Sequence, residues 1–234
     1  MKKLGLIGGV GPMSTIEYYK GINEGYQKQL TYHSKSGENP PMIIESLNLA
    51  TAYAFVEKKD WNGLAEMFIS AAHNLHRAGA EFGAIAANTA HIVFDEIERG
   101  SPIPLIGIVD ETCKAAQAIG CKKVIIFGTE FTMKSGMYEK KFEKYGIEAI
   151  VPTDADKRII HDIIFPSLEA GVVLEHEKAT ILDIAKKMIS DHEADAIILG
   201  CTELNLIIKD GELDTEILDT AKIHIDAILK NILR

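Results

Sequence analysis

A thiol, a hydroxyl and a carboxylate stand together at Cys201-Thr202-Glu203, directly after the aliphatic run Ala196-Ile197-Ile198-Leu199-Gly200. Leu204, Ile207 and Ile208 follow at helical spacing, so the pattern predicts a buried strand that delivers a cysteine to a helix start. Free backbone N–H groups and the helix dipole favour negative charge there, which predicts a lowered thiol pKa and a cysteine able to act as nucleophile, base or acid. The alternative is a small buried core residue, the commoner use of free cysteine. Glu203 either orients this turn and binds substrate, or only complements the helix dipole. A second polar turn, Ala87-Asn88-Thr89-Ala90-His91, follows the apolar stretch Phe82 to Ala86. His91 there either tunes a site electrostatically or hydrogen-bonds within a packed turn. The three cysteines, Cys113, Cys121 and Cys201, lack metal-ligand spacing and are odd in number, so neither a zinc site nor a disulfide framework is inferred, and Cys113 and Cys121 are read as structural.

The elements that must position these turns alternate along the chain. Strands are predicted at Lys3 to Ile7, Met42 to Ser46, Phe82 to Ala86 and Leu105 to Val109, then at Lys123 to Phe127, Glu148 to Val151, the run before Cys201, and Glu216 to Leu218. A glycine loop, Gly8 to Met13, leads into a helix from Ser14 that carries Ile16, Tyr19 and Ile22 inward, with Ser14 or Thr15 as N-cap. That loop lacks the closing glycine of G-x-G-x-x-G, so a dinucleotide site is a weak reading and a tight turn at the mouth of a sheet is the stronger one. Trp61 to Ala78 is amphipathic and ends at Gly79. Further helices are predicted through Met137 and Phe142, at Ile159 to Leu168, at Glu175 to Ser190 and at Ala221 to Leu233, with a polar, mobile loop expected at Thr31 to Pro41, of a length that is often functional. Strand–helix alternation implies parallel sheets covered on both faces.

Composition sets the class. The chain has 234 residues, 47% hydrophobic and 25% charged, with a formal charge of −9. That balance offers no basic stripe for nucleic acid, and no apolar run is long enough to span a bilayer. The expectation is a cytoplasmic protein with a small-molecule partner, no nucleic acid and no membrane.

Segments recur in order. Lys3-Leu4-Gly5-Leu6-Ile7-Gly8-Gly9 resembles Lys123-Val124-Ile125-Ile126-Phe127-Gly128-Thr129, and Gly79 to Thr89 resembles Glu193 to Glu203. The expected fold is therefore α/β, with two similar lobes of parallel sheet related by a pseudo-twofold axis and a cleft between them. The expected N-terminal lobe is 1–111 plus 210–234, and the C-terminal lobe 112–209. The repeat pairs Ala87 with Cys201, and one of those two positions carries no acid or base.

Leu6-Ile7-Gly8-Gly9 with Ser14-Thr15, Ala87-Asn88-Thr89-Ala90-His91 and Gly200-Cys201-Thr202-Glu203 together resemble the cofactor-independent aspartate/glutamate racemases, over essentially the whole chain. The resemblance implies two thiols flanking the Cα of an acidic amino acid, one removing the α-proton and the other returning it, without pyridoxal phosphate or metal. On that basis Cys201 matches the second catalytic cysteine, and Ala87 stands where the family usually has the first. Asn88, Thr89, Thr129, Thr132 and Thr202 match positions that hold the substrate's α-carboxylate and amine, with Glu203 beside them. Arg158 falls near a basic position for the side-chain carboxylate, with Lys157 as the fallback. The Ser46 to Ala50 region lacks an arginine found in some aspartate-specific relatives, so aspartate against glutamate stays open. Relatives commonly dimerise, which makes a homodimer one expectation.

A methyl group cannot exchange a proton. Loss of one acid or base costs ~10²- to 10⁴-fold, so two-base racemisation is expected to be crippled. An engineered Cys→Ala change, a natural one-base homologue, and a chain that has kept binding without turnover all fit. The competing functions are a one-cysteine decarboxylase resembling arylmalonate decarboxylase and a non-catalytic acidic amino-acid binder.

Overall fold

The computed structural model describes residues 1–29 and 38–234, so the predicted loop from Thr31 lies, as far as residue 37, outside the described residues. In the first half the order is β1 (Leu4–Gly8), α1 (Pro12–Gln29), β2 (Met42–Ser46), α2 (Leu49–Glu57), α3 (Trp61–Arg77), β3 (Phe82–Ile85), a 3-10 turn (Thr89–Val93), α4 (Phe94–Gly100), β4 (Leu105–Ile106) and α5 (Ile108–Ala118). The second half runs β5 (Lys123–Phe127), α6 (Glu130–Lys134), α7 (Met137–Glu143), β6 (Glu148–Ile150), α8 (Asp154–Ile164), a 3-10 turn (Leu168–Ala170), α9 (Glu175–His192), β7 (Ala196–Leu199), α10 (Leu204–Ile207), β8 (Glu216–Asp219) and α11 (Thr220–Ile232).

The chain divides into two compact units, Met1–Ile108 with His224–Arg234, and Val109–Ile223. Each holds a four-stranded sheet, ordered β2-β1-β3-β4 in the first and β6-β5-β7-β8 in the second, and every pairing in both is parallel. The repeat seen in the sequence is thus a repeat of topology. In both sheets the chain winds outward in one direction and then the other, so the strand order reverses between β1 and β3 and between β5 and β7. Open parallel sheets bind ligands outside the carboxyl ends of the strands at such a reversal. Both conspicuous turns, after β3 and after β7, leave the sheet at that point.

Each unit has its own core. In the first, Leu64, Phe68, Ala72 and Leu75 of α3 pack against Ile7 of β1 and Ile85 of β3. In the second, Ile160 and Ile164 of α8 and Ile181 and Ala185 of α9 cover Ile125, Ile197 and Leu199. Helix α11 lies close to α1: a Cβ at Gly21 would stand 2.8 Å from Ile225 Cδ1, and one at Gly25 would run into Leu229. Glycine costs a helix interior roughly 1 kcal/mol relative to alanine, and here it admits the neighbouring helix.

Several expectations are corrected. The second unit extends to Ile223 rather than 209 because β8 pairs with β7 (Leu199↔Asp219), and only His224–Arg234 returns to the first unit. Helix α1 begins at Pro12, and neither Ser14 nor Thr15 is its cap. Its buried stripe is Ser14, Tyr18, Ile22 and Tyr26, while Ile16 is 57% and Tyr19 52% exposed. The i, i+4 row through Tyr18 wins because the phenol finds a buried partner, His224 Nδ1, at 2.8 Å. Val109 belongs to α5 instead of β4. The helix predicted through Met137 and Phe142 is two helices, broken at Gly136, which adopts a left-handed φ of 70°. Helix α8 starts at Asp154, capped by Thr153, and α2, capped by Asn48, was not foreseen.

Candidate functional site

In the first unit, Gly8 and Ala86 leave adjacent strands, and the Ala86 N–H still donates to the Ile7 carbonyl at 2.9 Å. Ser14 Oγ donates to the Ala86 carbonyl at 2.8 Å, and Thr15 Oγ1 accepts from Gly9 N at 2.9 Å, so the start of α1 ties the glycine loop to the turn after β3. Gly9 has a left-handed φ of 81° and sits against the Leu47 backbone, which leaves no room for a side chain. Asn88 is buried, and Ala87 and Thr89 are partly exposed.

His91 holds this turn by both ring nitrogens. The Ile108 N–H donates to Nε2 at 3.1 Å, which makes Nε2 the acceptor and leaves Nδ1–H to donate to the Ala87 carbonyl at 2.9 Å. Behind it lies His224, whose Nε2 lies 2.8 Å from the Ile106 carbonyl and must donate to it, leaving Nδ1 to accept from Tyr18. Burial, with the His91 ring adding to it, lowers the His224 pKa from its ordinary value to about 3. The histidine in this turn is therefore a hydrogen-bonding member of a packed network. Tyr18 and His224 complete that network, and sequence reasoning missed both; they lie more than two hundred residues apart (|i−j| = 206), and no local pattern joins them.

In the second unit the corresponding loops follow β5 and β7. Phe127 and Leu199 are in register, and Gly200 N donates to the Phe127 carbonyl at 2.7 Å. A Cβ at Gly200 would stand 2.9 Å from the Phe127 oxygen and 3.3 Å from Thr132 Cγ2, so glycine lets the two loops close up. Thr129 caps α6, accepting from Thr132 N at 3.2 Å, and the two hydroxyls lie 3.1 Å apart.

Cys201 Sγ donates to Glu203 Oε2 at 2.9 Å, and Thr202 Oγ1 donates to the same oxygen at 2.7 Å. Burial pushes the Cys201 thiol well above its ordinary pKa. The Glu203 carboxylate raises it further through its charge and hydrogen bond, Glu169 adds a smaller push, and the Glu203 backbone N–H pulls weakly the other way. The expected lowering is overturned. Helix α10 spans only four residues, too short to exert much field, and a carboxylate faces the sulfur. The resting residue is a thiol with its own proton acceptor in hydrogen-bond contact.

Arg158 lies on α8 with its side chain 66% exposed, 3.8 Å from Glu130 Oε2. Lys157 is buried and paired with Asp154 at 3.3 Å. The structure thus gathers Thr129, Thr132, Cys201, Thr202 and Glu203 at one end of the second sheet, with Arg158 reaching that loop through Glu130. Ala87, Asn88 and Thr89 stand at the corresponding end of the first sheet. Cys113 and Cys121 are buried free thiols. Among the described residues there is no cluster that could hold a metal ion and no helix long and apolar enough to cross a membrane.

Residues 7–228 match the profile of the Asp/Glu/hydantoin racemase family. A broad specificity amino-acid racemase, RacX of Bacillus subtilis (strain 168), is 28% identical over 218 residues, covering 93% of this chain and 92% of its own. An aspartate racemase homologue from Pyrococcus horikoshii OT3 superposes with a TM-score of 0.89 at 36% identity, covering 100% of both chains. Arylmalonate decarboxylase shares the fold at a TM-score of 0.58 and 10% identity, covering 98% of this chain and 92% of its own. With two like parallel sheets, paired loops at their switch points and a match over nearly its whole length, the chain belongs to the Asp/Glu/hydantoin racemase family.

Proposed function

We propose that this protein moves a proton at the Cα of an amino acid without pyridoxal phosphate or metal, with Cys201 as its thiol acid/base and Glu203 as the group that exchanges a proton with it. The observation that carries this reading is the Cys201–Glu203 hydrogen bond at the carboxyl end of β7. Glu203 takes the thiol proton, the thiolate then takes the α-proton, and the electron pair left on Cα spreads into the α-carboxylate. Thr129, Thr132 and Thr202 in this loop cluster, with Asn88 and Thr89 in the other unit, are the candidates to hold the carboxylate and amine. Return of the proton from Cys201 gives exchange with retention. Inversion needs an acid at the position of Ala87, which has none.

The finer reading is an acidic amino acid, aspartate or glutamate, with Arg158 on its side-chain carboxylate. Support comes from the family and from the proximity of Arg158 to the Thr129–Glu130 loop. The test is deuterium wash-in at Cα of both enantiomers of aspartate and glutamate. This chain should exchange one enantiomer with retention, and Cys201→Ala should lose ~10²- to 10⁴-fold of that rate. Ala87→Cys should convert exchange into racemisation, and Arg158→Gln should raise KM with little change in kcat. Absence of exchange with every acidic amino acid in both proteins would sink the acidic reading. A decarboxylase of arylmalonates is the second reading, favoured by one thiol at Cys201 with a small residue, Ala87, at the repeat-related position, and it predicts CO2 release when an arylmalonate is supplied in place of the amino acid. Binding of an acidic amino acid without exchange would point to a non-catalytic binder. We also propose that two chains pair through the exposed apolar face of α1, where Met13, Ile16 and Tyr19 stand out; Ile16→Lys should then shift sedimentation to the monomer. Three free thiols suit a reducing cytoplasmic setting.

A further inference from the structure

An apolar pocket of about 40 Å³ lies in the first unit, where the loops after β1 and β3 meet α2 and α3. Val10, Ala52, Val56, Leu64, Phe68 and Ala87 form its walls. The polar side chains on its lining are Thr89 and Tyr53, and no charged side chain contributes. Its volume is several times the ~10–15 Å³ that holds one water, which corresponds to a few carbon atoms. Water gains little in a space so poor in polar partners, and a carboxylate buried there would lose its hydration with no cation to replace it.

The position of the pocket gives it a role. One wall is Ala87 itself, the residue that the internal repeat pairs with Cys201, and Thr89, also on the lining, belongs to the Asn88-Thr89 turn proposed to hold the polar end of the substrate. Helix α2 closes the far side, fixed at its start by Asn48 Oδ1, which accepts from Ala50 N at 2.9 Å and from Thr51 N at 3.3 Å. An α-amino acid held at Asn88-Thr89 can therefore place an apolar substituent against Ala87. The methyl of Ala87 leaves space that a longer side chain at this position would reduce.

Resting on the proposed Cα chemistry, we infer that this pocket is a subsite for a short unbranched aliphatic side chain, so that the substrate range extends to neutral amino acids of the norvaline type. Burial of one CH₂ improves affinity roughly fourfold. Affinity along alanine, 2-aminobutyrate and norvaline should therefore climb about tenfold or more in total, in whichever enantiomer binds.

The experiment titrates ¹³C-methyl-labelled protein with that series and with aspartate, following the methyl resonances of Val10, Val56, Leu64 and Ala87, and measures Cα deuterium exchange in the same samples. Norvaline should move the Val10, Val56 and Leu64 resonances, whereas aspartate, held at the Asn88-Thr89 turn, should shift Ala87 at most and leave those three in place. Ala52→Leu, which fills the pocket, should flatten the series. Val56→Ala, which enlarges it, should move the optimum from norvaline to norleucine and guards against a folding defect in the first variant. A flat series with unmoved methyl resonances overturns the subsite, and aspartate exchange in that protein would leave the catalytic reading standing. A rising series without exchange of any amino acid upholds the subsite and overturns the catalytic reading.

Discussion

Burial and a neighbouring carboxylate hold the proton on Cys201, and removal of that carboxylate is the sharpest probe of the thiol. Glu203→Gln removes the charge and the acceptor that raise the Cys201 pKa after burial itself. The thiolate should then form at lower pH. Peptide-resolved alkylation at Cys201 should be faster in the variant than in the parent at the same alkaline pH, while Cα exchange falls because the proton acceptor has gone. Cys113 serves as the internal control, since burial, with Asp110 adding to it, pushes its thiol up to about 12. If alkylation at Cys201 slows or does not change, Glu203 does not govern the thiol. The identity of the reactive residue was legible in the sequence, because aliphatic run, glycine, cysteine and helix-spaced leucines form a local pattern. Its protonation state was not. An acid two residues on reads as a helix-start complement, and nothing in the spacing tells that its side chain folds back onto the sulfur.

At the scale of elements, glycines set the approach of the loops that carry the site. Gly200→Ala would drive a methyl against the Phe127 carbonyl, with Thr132 Cγ2 and Tyr138 close behind. Strain of this kind costs about 1–3 kcal/mol. A urea melt should show that loss at unchanged slope, and exchange at Cα should fall by more than the loss of folded protein explains. Among the described residues the strands were legible to within a residue or two, apart from the short β4, since parallel strands are written as aliphatic runs. Helix α2 was not, because Leu49–Glu57 carries apolar residues on every side, interrupted only by Thr51 and Glu57, and buries only Ala52, so it shows no stripe. The inward face of α1 was also misread. Ile16 and Tyr19 look like core residues by type, but the row containing Tyr18 is chosen by a hydrogen bond to a histidine near the other end of the chain.

For the molecule as a whole, the Tyr18–His224–His91 network makes stability depend on acid. His224 is neutral in the folded state until about pH 3, whereas in the unfolded chain it binds a proton near the ordinary histidine value of 6.5. Between those values the unfolded state holds more protons, so stability is full above pH 6.5 and declines as pH falls toward 3. For a fully buried ring, the integrated effect is on the order of a few kcal/mol. The melting temperature should drop across this window, and His224→Gln, though less stable near neutrality, should show a shallower decline. Parallel slopes for the two proteins would remove His224 as the cause.

His224–Arg234 completes the first unit although it is the last segment in sequence. It supplies His224 to Tyr18, sets Ile225 and Leu229 into the glycine gaps of α1, and accepts Lys2 N on the Ile232 carbonyl at 3.0 Å. The second unit, by contrast, is continuous from Val109 to Ile223. On the ribosome the earlier-made unit must therefore wait, its α1 face uncovered, while the later-made one can close as it emerges. The order of synthesis and the order of completion are reversed, and a nascent chain stalled before His224 would display Tyr18 and the bare glycines of α1 to whatever chaperone stands at the exit.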